Sequence, residues 1–314
     1  MPTPADTHAA DLVACHTAIR QHSRSFYAAS RLLPRRVRDA AVATYAFCRA
    51  ADDAVDDAAT AAAARTRHAE IRRRLDRIYA GATVDTASGR AFARVVATAR
   101  IPRAEPEALL DGMAQDLETV RLADEDALLL YCYRAAGVVG CMMSRIMGRD
   151  DAEALRRAVH LGIAMQLTNI ARDVGEDASR DRVYLPSTWL AEAGGSTADV
   201  LARRPTPPIR RVTHRVLELA EAYYDSGIAG IALLPASCRP AILAAALLYR
   251  EIGRRVAARD DDGITSRTRV SAPRQVALLA LAVARCVFDP RLRARAARPD
   301  TTALHGPLQR AGIR

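Results

Sequence analysis

Four aspartates fall within six positions at the end of an apolar stretch, in the segment RAADDAVDD at residues 49–57. Asp52 and Asp56 are four residues apart, as are Asp53 and Asp57, so in a helix each pair lies on one face. Like charges at this spacing repel each other, and burial raises the cost. The segment therefore predicts that a positively charged partner binds between these carboxylates.

A second group of oxygen donors repeats the spacing farther along the chain. Asn169, Asp173 and Asp177 follow one another at four-residue steps. All these candidate ligands are oxygens, and the seven histidines show no zinc-binding spacing, which indicates a hard cation. We expect Mg²⁺, with Mn²⁺ as its substitute, because Mg²⁺ binds few carboxylates and completes its shell with water and phosphate oxygens. The predicted metal ligands are Asp52, Asp56, Asn169, Asp173 and Asp177.

Arginines accompany both acidic groups. Arg49 lies one turn before the first group, and Arg172 and Arg182 lie beside the second. Guanidinium groups bind phosphate oxygens in a forked geometry, so a diphosphate is a suitable ligand. A single D-x-x-x-D is more often a solvated helix face than a metal site. Two such groups, each at the end of an apolar helix and each flanked by arginine, favour the functional interpretation.

The elements that must position these groups are helices. Residues 39–55 and 157–171 are apolar nearly all round, which is typical of helices at the centre of a bundle. Short segments with Pro or Gly separate other stretches of helical periodicity, and no long run alternates with period two. We expect an all-α bundle around a central cavity, with one domain at residues 1–288. The Arg- and Pro-rich residues 289–314 are predicted to form a flexible basic tail.

Composition excludes some chemistry and leaves several partners open. The chain of 314 residues is 50% hydrophobic and 4% aromatic, and all 46 basic residues are arginine. Without lysine, the protein cannot use a Schiff-base, pyridoxal-phosphate or P-loop lysine. The net charge of +10 suits nucleic acid, an anionic membrane surface or diphosphate substrates.

The six cysteines are far apart, and this spacing is typical of a reduced, cytoplasmic protein. The N-terminal residues have neither a basic nor an apolar signal region, and we expect no signal peptide. The longest apolar runs are too short to span a bilayer, so we expect no membrane-crossing segment.

Two further features receive structural interpretations. Gly137 and Gly140 in RAAGVVG lack the strand that precedes a dinucleotide-binding loop, so we interpret them as helix-packing glycines that could also line the site. The acidic run at residues 260–262 lacks the alternating ligands of a calcium loop and is interpreted as a loop at a helix end.

Four segments resemble the ordered motifs of the squalene and phytoene synthase family. They are HSRSFYAASRLLP, YAFCRAADDAVDD, YCYRAAGVVG and QLTNIARDVGEDASRDRVYLP. The resemblance extends from about residue 12 to about residue 285 and is strongest for the bacterial phytoene synthase branch. It implies the all-α isoprenoid synthase fold, with the two acidic motifs facing each other across a cavity that holds Mg²⁺.

The resemblance also assigns roles to individual residues. It implies that Arg49, Arg172 and Arg182 contact diphosphate, and that Ser23, Arg24 and Ser25 help to hold the second substrate. The remaining implied residues line the cavity or face a carbocation: Phe26, Tyr45, Tyr133, Gln166, Tyr184 and Tyr249.

The implied reaction joins two geranylgeranyl diphosphates head to head and gives phytoene through prephytoene diphosphate, without NADPH, in carotenoid biosynthesis. A related reaction would join two farnesyl diphosphates and give presqualene diphosphate, dehydrosqualene or squalene. A basic helical nucleic-acid-binding module is the alternative from another class. Acids inside apolar helices and the lack of an aromatic-interleaved basic stripe argue against it, so we expect no nucleic-acid partner. We also expect peripheral association with an anionic membrane, at the inner face of the cell membrane.

Overall fold

The computed structural model describes residues 4–259, 263–265, 267–293 and 302–310 of the chain, and these residues are almost entirely helical. The acidic run at 260–262 lies outside the described residues. The first half comprises α1 Pro4–His22, α2 Arg24–Ser30, α3 Arg35–Asp56, α4 Ala61–Tyr79, α5 Ala87–Ala99, α6 Ala104–Gln115, β1 Val120–Arg121, α7 Glu125–Cys132, a π-helical turn Tyr133–Gly137 and α8 Val138–Ile146. The second half comprises α9 Ala152–Ser179, β2 Arg182–Val183, α10 Ser187–Glu192, α11 Thr197–Leu201, α12 Pro207–Gly230, a 3₁₀ turn Ile231–Leu233, α13 Arg239–Ala258, α14 Ala272–Phe288, α15 Pro290–Arg293 and α16 Thr302–Arg310.

Polar side chains start several of these helices. Thr60, Thr86, Asp124 and Asp151 each precede a helix with extended backbone, and each accepts a hydrogen bond from the backbone N–H three residues later. Such caps satisfy donors that have no partner inside the helix. These residues therefore define where α4, α5, α7 and α9 begin.

The long helix α9 lies at the centre of the bundle. It packs against α8, α12 and α13, and most of its residues between Ala154 and Ala178 are buried. Helix α3 is buried over most of residues 41–55. The prediction that these two apolar segments form central helices is confirmed.

The helices enclose two large hydrophobic cores. The first, called the N-terminal core, contains Val42, Phe47 and Phe92 and is built mainly from α1 and α3 to α6. The second, called the C-terminal core, includes Ile163 and Leu248 and is built mainly from α7 to α16. Helix α3 belongs to the first core and α9 to the second, so the two acidic motifs come from opposite sides of the boundary between the cores.

Glycines allow α8 and its preceding turn to approach α9 closely. A Cβ atom on Gly140 would lie 2.3 Å from the Ala158 carbonyl oxygen, and one on Gly162 would lie 2.4 Å from the Ala136 carbonyl oxygen. Such distances leave no room for a side chain at either position. The packing role predicted for Gly140 is confirmed.

A short parallel ladder joins two loops near the ends of α6 and α9. Val120 pairs with Arg182, and Arg121 pairs with Val183. Sequence periodicity could not predict strands of two residues, because alternation needs a longer run to be visible. The ladder brings the segment after α6 next to Arg182.

Where the structure describes the tail, it packs on the rest of the fold. Helices α15 and α16 lie within it, and Leu292 and Leu308 are buried. The Tyr223 hydroxyl donates to the Leu304 carbonyl oxygen at 2.9 Å. Leu304 and Leu308 are four residues apart and lie on one helix face, which suits this contact. The flexibility expected of the tail stays a prediction.

Among the described residues, one helical stretch, Glu125–Ile146, is long and apolar enough to cross a membrane, but half of its apolar span is buried inside the fold. It contains the turn that contacts α9. Burial of this kind is typical of a core helix.

Candidate active site

Two adjoining cavities lie between the N-terminal and C-terminal cores. The first is an apolar cavity of about 330 Å³, and the second is a polar mouth of about 750 Å³. Six residues line both of them: Phe26, Tyr45, Cys48, Ala135, Gln166 and Asn169. The arrangement can hold a molecule with a charged head in the mouth and an apolar tail in the cavity.

The last turns of α3 bring the first acidic motif to the mouth. Arg49 lies one turn earlier and bonds Asp52 at 2.9 Å and Asp53 at 2.5 Å. Asp56 forms a salt bridge with Arg182 at 2.7 Å and also pairs with Arg180. Arginines of two different elements therefore converge on the carboxylates of α3.

The second acidic motif lies on α9, where the backbone departs from helical geometry at Asp173 (φ −110°, ψ 16°). Arg172 donates to Asp173 at 2.8 Å, and Arg267 lies 3.1 Å from the same carboxylate. The irregularity changes the direction of the last helical turns, which carry Asp177. Sequence spacing alone predicts a regular helix here and does not reveal the kink.

A further acid, Asp116, lies between the two motifs and was not predicted from the sequence. The hydroxyls of Tyr184 and Tyr131 donate to Asp116 at 2.7 and 3.1 Å. Arg182 also donates to the Asp116 backbone carbonyl at 3.2 Å. A signal was present in the sequence, because Asp116 follows Leu109 by seven residues and so continues the buried stripe of α6.

Three carboxyl groups of the mouth have raised pKa values. Burial raises the pKa of Asp52 to about 6, and the neighbouring Asp56 adds to the effect. Burial followed by the charge of Asp173 raises the pKa of Asp177 well above its usual value, and burial also raises the pKa of Asp116. The site therefore favours a cation among these carboxylates.

The donor set fits a hard divalent cation, although the carboxylates do not form a preassembled cluster. Within residues 4–259, 263–265, 267–293 and 302–310, no three His, Cys, Asp or Glu side chains are grouped closely enough to hold a metal ion. Buried Asn169 Oδ1 has no hydrogen-bond partner, while its Nδ2 donates to Gln166 at 3.2 Å. An unpaired buried oxygen beside acids with raised pKa values is suited to ligate a cation.

A second residue that sequence reasoning missed, Arg267, comes from the segment after α13. This segment approaches α9 closely: the Gly175 N–H donates to the Gly263 carbonyl at 2.9 Å, and a Cβ on Gly175 would lie 2.6 Å from the Ile264 carbonyl oxygen. Arg267 then bonds Glu176 at 3.0 Å in addition to Asp173. No periodicity in the sequence marks this arginine, because it lies in a loop.

Aromatic rings lie where the mouth joins the apolar cavity. Phe26 stacks on Tyr249 with ring centroids 4.9 Å apart and meets Tyr45 edge to face at 6.3 Å. Burial raises the pKa of Tyr45 to about 12, so its hydroxyl is protonated at neutral pH. The ring faces can stabilise a positively charged carbon without supplying a nucleophile.

Nearly all of the predicted site residues line the mouth. They are Ser23, Arg24, Ser25, Phe26, Tyr45, Arg49, Asp52, Asp56, Gln166, Asn169, Arg172, Asp173, Asp177, Arg182, Tyr184 and Tyr249. Tyr133 is the exception, because it lines neither cavity. The π-helical turn that begins at Tyr133 presents Ala135 and Ala136 to the apolar cavity, whereas Tyr131 lines the mouth.

The wall of the apolar cavity is built largely from small side chains. Ala29, Ala158, Gly227 and Gly230 lie along it, and Gly140 also lines it, as predicted. One charged residue, Arg157, reaches the wall, but it forms a salt bridge with Glu153 at 3.0 Å and donates a hydrogen bond to the Ser226 hydroxyl at 3.1 Å. The wall leaves room for a long aliphatic chain.

Comparisons with known proteins agree with this architecture. The family model for squalene/phytoene synthase matches residues 19–275. The phytoene synthase of Cereibacter sphaeroides is 44% identical over 290 residues, which cover 90% of this chain and 81% of that protein. The 15-cis-phytoene synthase of a Paracoccus species is 40% identical over 86% of this chain and 90% of its own length.

Among solved structures, a dehydrosqualene synthase determined with a ligand superposes with a TM-score of 0.82 at 29% sequence identity. The match covers 90% of this chain and 98% of that one. The family match covers both acidic motifs, and the solved structure confirms the all-α isoprenoid synthase fold. The chain belongs to the squalene/phytoene synthase family.

Proposed function

We propose that the protein is a phytoene synthase, a prenyltransferase that condenses two geranylgeranyl diphosphates into phytoene in carotenoid biosynthesis. The observation that carries the proposal is the polar mouth, lined with acids and arginines, that opens into an apolar cavity. A prenyl diphosphate has the same division into a charged head and an apolar tail. The phytoene synthases that match most of the chain support the choice of product.

The metal ligands and arginines of the mouth would hold the diphosphate groups. When bound, Mg²⁺ neutralises charge on the departing diphosphate. The oxygens available to hold Mg²⁺ are those of Asp52, Asp56, Asn169, Asp173 and Asp177. Arg49, Arg172 and Arg182 form ion pairs with these acids and can transfer their hydrogen bonds to phosphate oxygens. Arg267 is available in the same way.

The reaction proceeds through allylic cations that the cavity must protect. The carbon–oxygen bond of the first substrate breaks, and diphosphate leaves with the bonding electron pair. The double bond of the second substrate attacks the cation, and loss of a proton closes the cyclopropane of prephytoene diphosphate. Loss of the second diphosphate, ring rearrangement and a further proton loss give phytoene. The apolar walls exclude water, which would otherwise trap the cations as alcohols.

The competing proposal within the family is a farnesyl diphosphate substrate, as in squalene or dehydrosqualene synthesis. The apolar cavity favours the longer substrate, because its wall contains Ala29, Ala158, Gly227 and Gly230. Removing part of an aliphatic tail forfeits binding energy that is used in the transition state. We therefore expect a much smaller kcat/KM for farnesyl diphosphate.

The decisive experiment incubates purified protein with Mg²⁺ and either geranylgeranyl or farnesyl diphosphate, with and without NADPH. Hydrocarbon products and released diphosphate are measured. We expect phytoene from geranylgeranyl diphosphate, no effect of NADPH, and no turnover after chelation of the metal. A preference for farnesyl diphosphate, or squalene formation with NADPH, would overturn the assignment of the substrate.

We also propose that the protein works in the cytoplasm, at the inner face of the cell membrane. Its net charge of +10 suits an anionic surface, where each arginine contributes about 1 kcal/mol at low salt. Both substrate and product are lipids, so peripheral binding would shorten their transfer. Binding to anionic vesicles that weakens with added salt is the expected result, and no binding at low ionic strength would refute it.

A further inference from the structure

One helix carries most of the large apolar side chains that face solvent. Among the described residues, six such side chains are exposed, and five of them lie on α14. They are Val276, Leu281, Val283, Val287 and Phe288, with exposed fractions from 40% to 77%. We call this surface the α14 face. Isolated exposed apolar residues are ordinary, but a contiguous group on one helix marks an interaction surface.

The opposite side of α14 is apolar as well. Leu278 and Ala282 are buried, and the helix packs on α13. A helix that is apolar on all sides is normally enclosed by protein or by lipid. Among the described residues, the fold encloses only one side of α14, so the exposed side is suited to a partner.

Charge identifies the kind of partner. Helix α14 has two arginines, Arg274 and Arg285, and no acidic residue. Arg274 shares the carboxylate of Glu251 with Arg255, so this group retains a net positive charge. From residue 289 to the end, the sequence adds six arginines and two aspartates. An apolar face with positive flanks matches the acyl and headgroup layers of an anionic bilayer.

The position of α14 relative to the site supports the same partner. Gln275 lines the polar mouth together with Arg269, and the α14 face begins at the next residue, Val276. A helix of 17 residues is about 25 Å long and can lie along a membrane surface. Contact through this face would bring the rim of the mouth to the lipid layer.

We propose that the α14 face inserts into the headgroup boundary of an anionic membrane and places the polar mouth at the lipid surface. The proposal rests on the membrane association proposed above and assigns a surface to it. A second copy of the chain is the other possible occupant. Arg285 pairs with Asp289, and Arg274 and Arg255 share Glu251. Pairing about a two-fold axis would still bring together the surplus positive charge of this group and of the Arg-rich tail, which disfavours self-association.

The test is sedimentation of the full chain with vesicles of phosphatidylcholine alone or of equal parts phosphatidylcholine and phosphatidylglycerol. The variant combines Val276→Ser, Val283→Ser and Val287→Ser. The matched control is Val13→Ser, because Val13 is 66% exposed on α1 and lies outside the α14 face. We expect the triple variant to bind anionic vesicles at least tenfold more weakly than the wild type, and the control to bind like the wild type.

Two further measurements make the result unambiguous. Diphosphate release from substrate dispersed in detergent should be unchanged in the triple variant, which reports on the proposed reaction independently of vesicle binding. Light scattering should show the same mass for wild type and variant. Equal vesicle binding by wild type and triple variant would overturn the proposal, as would no binding at all. A wild-type dimer that the substitutions convert to a monomer would identify the face as a contact between copies.

Discussion

Neutralising two aspartates of the same site should have opposite effects on stability. Asp52 lies one helical turn from Asp56, and its partner Arg49 keeps Asp53 when Asp52 is neutral. Asp52→Asn therefore removes a repulsion and should maintain or raise the melting temperature. Asp173 is bonded by Arg172 and Arg267, and Asp173→Asn leaves Arg172 without a charged partner in a largely buried position. We expect this second change to lower stability by about 1–3 kcal/mol.

Both substitutions should reduce turnover on the order of a hundredfold or more, because each removes charge from the proposed metal site. Melting curves and diphosphate release give the two readouts. Asp111→Asn is the matched control, since this carboxylate lies on the exposed side of α6, pairs with Arg72 and does not line the mouth. Near-normal turnover of Asp52→Asn would rule out the carboxylate as a metal ligand.

A buried histidine gives the fold a specific sensitivity to acid. His160 is fully buried, and burial lowers its pKa to about 3. Its Nδ1 meets the Ser226 hydroxyl at 2.7 Å, and the groups facing it are Tyr223, His305 and the cations Arg156 and Arg157. In the unfolded chain this histidine has its ordinary pKa of about 6.5, so it binds a proton below that pH.

The unfolded state therefore binds more protons than the folded state between these two pKa values. The stability from neutral His160 is fully present above pH about 6.5 and declines as the pH falls, by about 1.4 kcal/mol per pH unit. Urea unfolding at several pH values measures this slope. In His160→Asn the slope should be smaller by that amount, and an unchanged slope would show that His160 does not control it.

Individual residues also show what the sequence could reveal about the site. The two acidic motifs were recognisable because their spacing matches the helical repeat. Asp116 was overlooked although it continues the apolar stripe of α6. Arg267 could not be predicted, since its approach to α9 depends on tertiary contact between Gly263 and Gly175.

At the scale of the elements, glycines let α9 pack closely against α8 and the turn before it, beside the apolar cavity. Gly162→Ala should destabilise the protein by about 1–3 kcal/mol, because the new Cβ would meet the rigid Ala136 carbonyl. The matched control is Gly253→Ala in α13, where the nearest atom is the end of the Leu217 side chain at 3.2 Å. Chemical unfolding compares the two variants, and equal stabilities would show that the contact between α9 and the turn before α8 can relax.

The elements themselves were largely predictable, whereas their irregularities were not. The apolar segments predicted at 39–55 and 157–171 lie within α3 and α9, which are longer by several residues at most ends. The kink at Asp173 and the π-helical turn at Tyr133–Gly137 leave no signal in hydrophobic periodicity. Tyr133, predicted to face the cavity, is the first residue of this turn and lines neither cavity.

At the scale of the whole molecule, the site joins two parts that are otherwise packed around separate cores. Helix α3 and its acids belong to the N-terminal core, while α9 and its acids belong to the C-terminal core. Arg182, which follows α9, already links the two parts, because it bonds Asp56 of α3 at 2.7 Å. A ligand that contacts both motifs would add further links across the same boundary.

This geometry predicts that a metal ion and a diphosphate stabilise the fold together. Mg²⁺ and inorganic pyrophosphate added jointly should raise the melting temperature, because a ligand at about 100 times its Kd contributes about 2.7 kcal/mol. Either one alone should have a smaller effect, since the metal needs phosphate oxygens and the phosphate needs a cation among acids. The shift should disappear in Asp52→Asn and persist in Asp111→Asn, as measured by differential scanning fluorimetry. Equal stabilisation by Mg²⁺ alone would indicate a metal site that forms without the substrate and would contradict joint binding.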